Sequence, residues 1–399
     1  ITAQKPHSTG SGTYLTELVY AFSRLGCEQA VIAGVYPDDE VILPKGTLFY
    51  PVFFDEQNYP IYGMSDVMPY PSSLYSSMDE EAVERFKENY RSHLIKAVEE
   101  FNPDIIYCHH LFLLAAYVRE LFPEKFIIGQ CHGSDLRQFK TSVRLQDYVR
   151  KGIQGLDRIC ALHGEQKNEI CELYGVSPEL VRVVGSGYNV EFFNTEGRKE
   201  KQSGEPLNLL FAGKISKPKG VPELLGAVRQ LSDADVSKFR LRLIGGCQDE
   251  EVRAQIDDLI SYVGEGRGSC ESVEYLGFVD QDVLISEFKA GDVFVLPSYF
   301  EGLGLVLIEA MASGMVPVAT RLPGIKEWID ESIPGSNVIY VAMPEMESVD
   351  KPFDRELPAF TERLARGINE AFALCESGFE QPDTSAIGWD SIAKKITNT

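Results

Sequence analysis

DVFVLPSYFEGLGLVLIEAMASGMVPVAT, residues 292–320, reads as strand, loop, helix and strand in immediate succession. DVFVLPS is a short, nearly unbroken apolar run, the pattern of a strand covered on both faces. YFEGLG supplies a loop, LVLIEAMASG a helix that opens near Leu303 and ends at Gly314, and VPVAT the next buried strand. Two strands joined by a crossover helix lie parallel in one sheet. Two carboxylates stand out within this unit. Glu301 falls in the loop after a strand, where open parallel sheets bind ligands. Glu309 falls eight residues on, flanked by Ile308, Ala310 and Met311 rather than by an exposed face.

The same alternation extends in both directions. In the second half, strand patterns occur at 207–215, 239–246, 273–279 and 337–342; in the first half they occur at 29–36, 48–54, 104–110, 126–132, 158–163 and 181–185. Residues 78–101 carry apolar positions at helical spacing. NTEGRKEKQSGEP, 194–206, is polar, charged and without an apolar stripe, which predicts a linker. The chain therefore reads as two α/β domains, 1–193 and 207–380, with parallel sheets and a cleft between them. A final segment, 381–399, includes a helix over 385–396 that carries Trp389.

Bulk properties narrow the partners. The 399 residues carry a formal charge of −22, and such a surface repels nucleic-acid phosphates and anionic lipid head groups. Neither nucleic-acid binding nor stable membrane association is expected. The longest apolar run, 111–118, is well short of the ~18 residues that cross a bilayer. Eight cysteines show no CxxC pairing and read as thiols in a reducing compartment, so a cytoplasmic location is expected. The chain begins at Ile1 rather than at a methionine, which predicts that some residues precede it.

An anionic ligand must then be met by local cations. FAGKISKPKG, 211–220, places Lys214, Lys217 and Lys219 in a strand-end loop that leads into a helix, a good phosphate site. PHSTGSGTYLTELVYAF, 6–22, offers Gly10 and Gly12 before a helix opening near Thr13, where backbone could approach a ligand. No acid stands about 20 residues on at the end of the following strand, so a nicotinamide dinucleotide site is disfavoured. In CHGSDLRQF, 131–139, His132 ends a strand and Asp135 could cap the segment after it. His109, His110 and His163 also lie near strand ends, with packing and ligand contact both open for them. None forms an HxH or HxxxH pair, so no metal site is expected.

Taken together, these segments resemble the retaining glycosyltransferases of family 4, the group 1 transferases, which have the GT-B fold. The resemblance runs nearly the whole length. Glu301-x7-Glu309 is similar to the family's E-G-F-G-L-x-x-x-E-A-M-A-x-G segment, and Gly213-Lys214…Lys219-Gly220 to its G-R-x-x-x-x-K-G loop. Weaker elements are Gly10–Gly12, HGSD at 132–135 and VVGSGYNVEFF at 183–193. The resemblance implies two Rossmann-like domains, the first for acceptor and the second for donor, with the terminal helix returning to the first. It implies that Glu309 holds the ribose hydroxyls of a nucleotide, and that Glu301 with Gly302, Leu303, Gly304 and Leu305 holds the donor sugar. Lys214 and Lys219 would neutralise the leaving diphosphate without a metal or other cofactor, with Gly213 beside them. His132 would touch the donor sugar, Gly10 and Gly12 would approach diphosphate and acceptor, and Ser11, Asp135 and His109 fall on the acceptor side.

The implied activity is transfer, with retention, of a sugar from a nucleotide-diphosphate donor to an acceptor hydroxyl. UDP is the commonest nucleotide in such families, and the acidic surface favours a small soluble acceptor or glycan. The aromatic segment 53–77 is expected over the cleft on the acceptor side. A nucleotide-sugar epimerase of the same fold and a non-catalytic nucleotide-sugar-binding subunit remain alternatives, while acceptor, donor sugar and oligomeric state stay open. Two departures stand out: Lys214 where arginine is usual, and Tyr188-Asn189 after Gly187 where Val-Asp is usual.

Overall fold

The computed structural model describes residues 1–397 other than 67, 200, 203, 267 and 349. It divides into two compact units, one formed by Ile1–Gly187 with Trp389–Thr399, the other by Tyr188–Gly388. Positions 200 and 203 of the expected linker and 398–399 of the expected terminal segment lie outside the described residues.

The first unit contains strands β1 (Ala30–Val35), β2 (Leu48–Phe53), β3 (Ile61–Gly63), β4 (Ser72–Leu74), β5 (Ile105–His109), β6 (Phe126–Gln130), β7 (Arg158–Ala161) and β8 (Val181–Val183). Its helices are α1 (Gly10–Arg24), α2 (Glu80–Phe101), α3 (Leu113–Leu121), α4 (Ser134–Thr141), α5 (Gln146–Gln154) and α6 (Gly164–Tyr174). Strands β5-β6-β7-β8 form one parallel sheet, and β1 pairs parallel with β2. Residues 1–3 lie between these sheets: Thr2 bridges Ala33 of β1, and the carbonyl of Ile1 accepts from His109 N of β5 at 2.8 Å. Helix α2 shows how sequence sets an element. Asp79 caps it by accepting from Ala82 N, Asn102 ends it in the left-handed region, and Phe86, Tyr90, Leu94 and Ala97 form its buried stripe.

The aromatic segment 53–77 departs from expectation. It forms β3 and β4, and Tyr59, Tyr62, Tyr70 and Tyr75 are buried members of the first unit's core. Rings of this size bury more apolar area than almost any other side chain, so they turn inward once a core is in reach.

The second unit contains β9 (Leu207–Ala212), β10 (Phe239–Ile244), β11 (Cys270–Gly277), β12 (Val293–Leu296), β13 (Val316–Thr320) and β14 (Ile339–Val341). Its helices are α7 (Val221–Asp233), α8 (Glu250–Gly264), α9 (Gln281–Ala290), α10 (Leu305–Ala312), α11 (Ile325–Ser332) and α12 (Leu357–Ser377). These six form one parallel sheet in the order β11-β10-β9-β12-β13-β14, the doubly wound arrangement of dinucleotide-binding folds, and Met346–Ser348 pairs antiparallel with Lys351–Pro352 outside it. The polar stretch after residue 194 is part of this unit. Arg198 donates to the carbonyl of Ser313 at 3.1 Å and reaches Asp292, whose carboxylate also takes the ammonium of Lys201. The boundary therefore falls at Gly187/Tyr188, upstream of the expected linker.

The last helix, α13 (Trp389–Thr397), belongs to the first unit. Trp389, Ile392, Ala393 and Ile396 are its buried face, Trp389 meets Tyr14 edge-on at 4.8 Å, and Asp390 pairs with Arg24. Ser385–Ile387, expected at the start of this helix, is a separate 3-10 turn in the second unit. Trp389→Ala removes the largest ring that ties α13 to α1. It is expected to lower stability by about 3–5 kcal/mol, read from urea denaturation.

Candidate active site

In the second unit the chain leaves β9 toward β10 on one side, whereas β12 leads to β13 on the other. Adjacent strands whose connections diverge leave a crevice at their carboxyl ends, where ligands bind in open parallel sheets. The loops after β9 and β12 border that crevice and touch each other. Tyr299 N donates to the carbonyl of Pro218 at 3.0 Å. Gly220 has φ +65, and a Cβ there would lie 2.1 Å from the carbonyl oxygen of Pro297, so only glycine fits.

This contact brings the charged groups together. Lys219 Nζ donates to Glu301 Oε1 at 2.7 Å, and the buried hydroxyl of Ser298 donates to the same oxygen at 2.7 Å. Glu301 Oε2 is left to accept from a ligand, and the ammonium retains two further donors. Lys217 turns away to Glu251 of α8 at 2.5 Å, and Lys214 is exposed directly after Gly213. Next to them, Gly245 packs so closely on Gly213 that a Cβ would meet its carbonyl oxygen at 1.9 Å.

Helix α10 begins at Leu305 with Gly304 as its N-cap, two residues later than expected. Glu301, Gly302, Leu303 and Gly304 thus form the loop, with the side chain of Leu303 buried, and Glu309 is half-buried on the helix. Two groups escaped the sequence reading. Ser298 could have been suspected three residues before Glu301. Phe278, 90% exposed at the end of β11, lies with its ring against Gly246. An aromatic directly after a strand-end glycine was its only signal.

In the first unit the strand ends gather histidines. His109 ends β5, and His132 follows β6; their rings are nearly coplanar, with centroids 5.3 Å apart and an interplanar angle of 11°, and His109 Nδ1 lies 3.0 Å from His132 Nε2. Tyr14 of α1 stands edge-on to His132 at 5.0 Å and donates to the carbonyl of Gly185 at 3.2 Å. His110 packs on His132 at 4.7 Å with φ +71, and among the described residues both of its buried ring nitrogens are without a partner. His163 accepts from Gln166 N as the cap of α6.

Burial, reinforced by the neighbouring imidazoles, holds His109 and His132 well below the ordinary histidine range, and burial lowers His110 to about 4. All three are neutral near pH 7. Asp135 was expected on the acceptor side. It is fully buried and accepts from the backbone N–H groups of Leu111 and His132, so it anchors the histidine loop instead. Gly10, Ser11 and Gly12 are the first turn of α1, capped by Thr9, and not a loop before it. Gly12 is packed on the carbonyl of Lys5, whereas Gly10 is open. Among the described residues no group of three or more His, Cys, Asp or Glu side chains is arranged to hold a metal, and no helix is long and apolar enough to cross a membrane.

Comparison with known proteins extends these observations. A family model for glycosyltransferase family 4 matches residues 8–192, and a model for glycosyl transferases group 1 matches residues 206–348. An uncharacterised glycosyltransferase of Methanocaldococcus jannaschii is 26% identical over 316 residues, 74% of each chain. A D-inositol 3-phosphate glycosyltransferase of Corynebacterium diphtheriae is 32% identical over 171 residues, spanning 40% of this chain and 39% of that relative. Sucrose-phosphate synthase from Thermosynechococcus elongatus superposes with a TM-score of 0.63 at 18% identity, covering 98% of this chain and 92% of that one. Anabaena HepE, solved with UDP and glucose, superposes with a TM-score of 0.60 at 14% identity, covering 100% and 97%. Two such parallel α/β units with a closing C-terminal helix are the GT-B architecture of glycosyltransferases. The chain belongs to glycosyltransferase family 4.

The neutral histidines carry a consequence for stability. Below about pH 6.5 the unfolded chain binds protons at these imidazoles that the folded chain does not, so acidification destabilises. Each such group steepens the loss by about 1.4 kcal/mol per pH unit until its folded pKa is reached. His110→Asn, which the left-handed backbone tolerates, removes one group. Denaturant midpoints of this variant are expected to fall less steeply than wild type between pH 6.5 and about 4.

Proposed function

We propose that the protein transfers a sugar, with retention, from a nucleotide-diphosphate donor to an acceptor hydroxyl, without a metal. The supporting observation is the Lys219–Glu301 pair at the switch point of the second unit. Lys219 has N–H groups to spare for phosphate oxygens, and Lys214 adds an exposed charge beside them. As the bond from sugar to phosphate breaks, negative charge grows on the diphosphate, and positioned ammonium groups stabilise that charge most where water is scarce. Glu301, its Oε1 already engaged, accepts a sugar hydroxyl through Oε2, and Glu309 accepts from the ribose. The departing phosphate takes the acceptor's proton, so neither glutamate acts as a base.

The exposed ring of Phe278 gives the nucleotide base a flat apolar face to stack on. UDP is the favoured nucleotide, supported by its presence in the structural relative HepE. For the first unit we assign His132 to the transferred sugar, as a neutral imidazole suited to hydroxyls rather than phosphates. The acceptor is a small soluble molecule or glycan, since the −22 charge of the chain opposes anionic surfaces.

Glu301→Ala and Lys219→Ala are each expected to cut turnover by about 10²–10³ while the far-ultraviolet circular dichroism stays that of wild type. Nucleotide release with candidate acceptors reads the rate, and the anomeric configuration of the product reads the stereochemistry. Rates near wild type in both variants would sink the assignment.

A further inference from the structure

The histidine edge of the first unit contains a hydrogen bond between two side chains that serve no obvious structural need. His109 closes β5 and is 5% exposed, and its backbone N–H is already satisfied by the carbonyl of Ile1. Its ring lies parallel to His132, with Nδ1 3.0 Å from His132 Nε2. Tyr107 and Tyr14 stand edge-on to the His109 ring at 5.2 and 6.1 Å, which fixes its plane. His132 is only partly buried, and its backbone is held by Asp135.

Between two neutral imidazoles one nitrogen donates and the other accepts, so the bond couples the tautomers of both rings. It also occupies Nε2 of His132. An imidazole has two nitrogens, and the one that remains is Nδ1.

We propose that His109 is a positioning residue for the transfer reaction: it holds His132 through Nε2, so that His132 meets substrate through Nδ1 with its ring fixed in place. This rests on the reading that His132 contacts the transferred sugar. It removes His109 from the acceptor side, where the family resemblance had placed it. The bonded nitrogen also explains why a histidine, and not an apolar residue, closes a strand so well buried.

The test uses His109→Leu, His109→Asn and His132→Ala in the full chain, with folding checked by circular dichroism. An asparagine amide reaches roughly where the imidazole Nδ1 lies and can donate or accept, so it restores the bond that leucine removes. His109→Leu is expected to lower kcat about tenfold and to change the donor KM less than about twofold. His109→Asn should return kcat to within about threefold of wild type. In the His132→Ala background, His109→Leu should add no further loss. Nitrogen-15 chemical shifts of the His132 ring, measured without turnover, should show a hydrogen-bonded Nε2 in wild type and in His109→Asn, and lose that signature in His109→Leu.

Equal losses in the leucine and asparagine variants would overturn the proposal, as would an unchanged His132 ring signature in His109→Leu. Wild-type kcat in His109→Leu alongside a loss in His132→Ala would overturn it and leave the role of His132 standing. Wild-type activity in His132→Ala would remove that role and the proposal with it.

Discussion

The approach of Gly220 to the carbonyl of Pro297 is the constraint on which the second unit's chemistry depends. Strand order alone would part the two loops, because the chain leaves β9 and β12 toward opposite sides of the sheet. Backbone contact closes the gap at one point, and a side chain there would reopen it. With the loops in register, Lys219 reaches Glu301 and Ser298 completes the coordination of the same carboxylate oxygen. Three groups from two loops are thereby fixed in place. Such rigidity is what electrostatic stabilisation of a leaving group requires, since donors that must reorganise during reaction give back much of their effect.

The two units treat charge in opposite ways. In the second, Lys219 and Glu301 pair while staying partly exposed, and Lys214 stands in solvent. In the first, burial disfavours the charged form of His109, His110 and His132. A neutral imidazole offers one donor and one acceptor, the complement of a sugar hydroxyl. The division follows from packing. Tyr14, Tyr107 and the neighbouring histidine rings bury His109, whereas Lys214 stands in solvent.

Much of this was legible in the sequence, for physical reasons that also mark where legibility stops. Apolar β-branched runs identified every strand of both main sheets, because a strand covered on both faces has little freedom in composition. Their ends were read long: 207–215 contains the strand Leu207–Ala212 and then the start of the lysine loop. Helix starts were misjudged where glycine is involved. Gly10 and Gly12 lie inside α1, and α10 waits until Leu305, because glycine is equally compatible with a cap and a first turn. The polar segment after 194 looked like a linker because its partners, Asp292 and the Ser313 carbonyl, are remote in sequence. The same remoteness hid the bond between His109 and His132. Glu301 and Lys219 could be singled out because each follows a strand end, whereas the neighbours of Ser298 and Phe278 are supplied only by folding.

The departures from the family pattern show how local surroundings absorb a change. Lys214 replaces a planar, forked guanidinium by a point charge, which loses bidentate geometry but keeps the charge. Of the three lysines in its loop, Lys217 and Lys219 are already bound to Glu251 and Glu301. Lys214 thus supplies the exposed positive charge of a loop whose other two are offset. Arginine there would add a fork; the charge is what the acidic chain cannot spare. At the crossing between units, Tyr188 pairs with Gly388 and its hydroxyl bonds Thr384 at 2.8 Å, while Asn189 accepts from Glu191 N at 3.0 Å. Both residues satisfy their polar groups within the second unit, so Tyr-Asn closes this turn without the usual Val-Asp. The departures therefore change how these positions are held and leave the Lys219–Glu301 pair untouched.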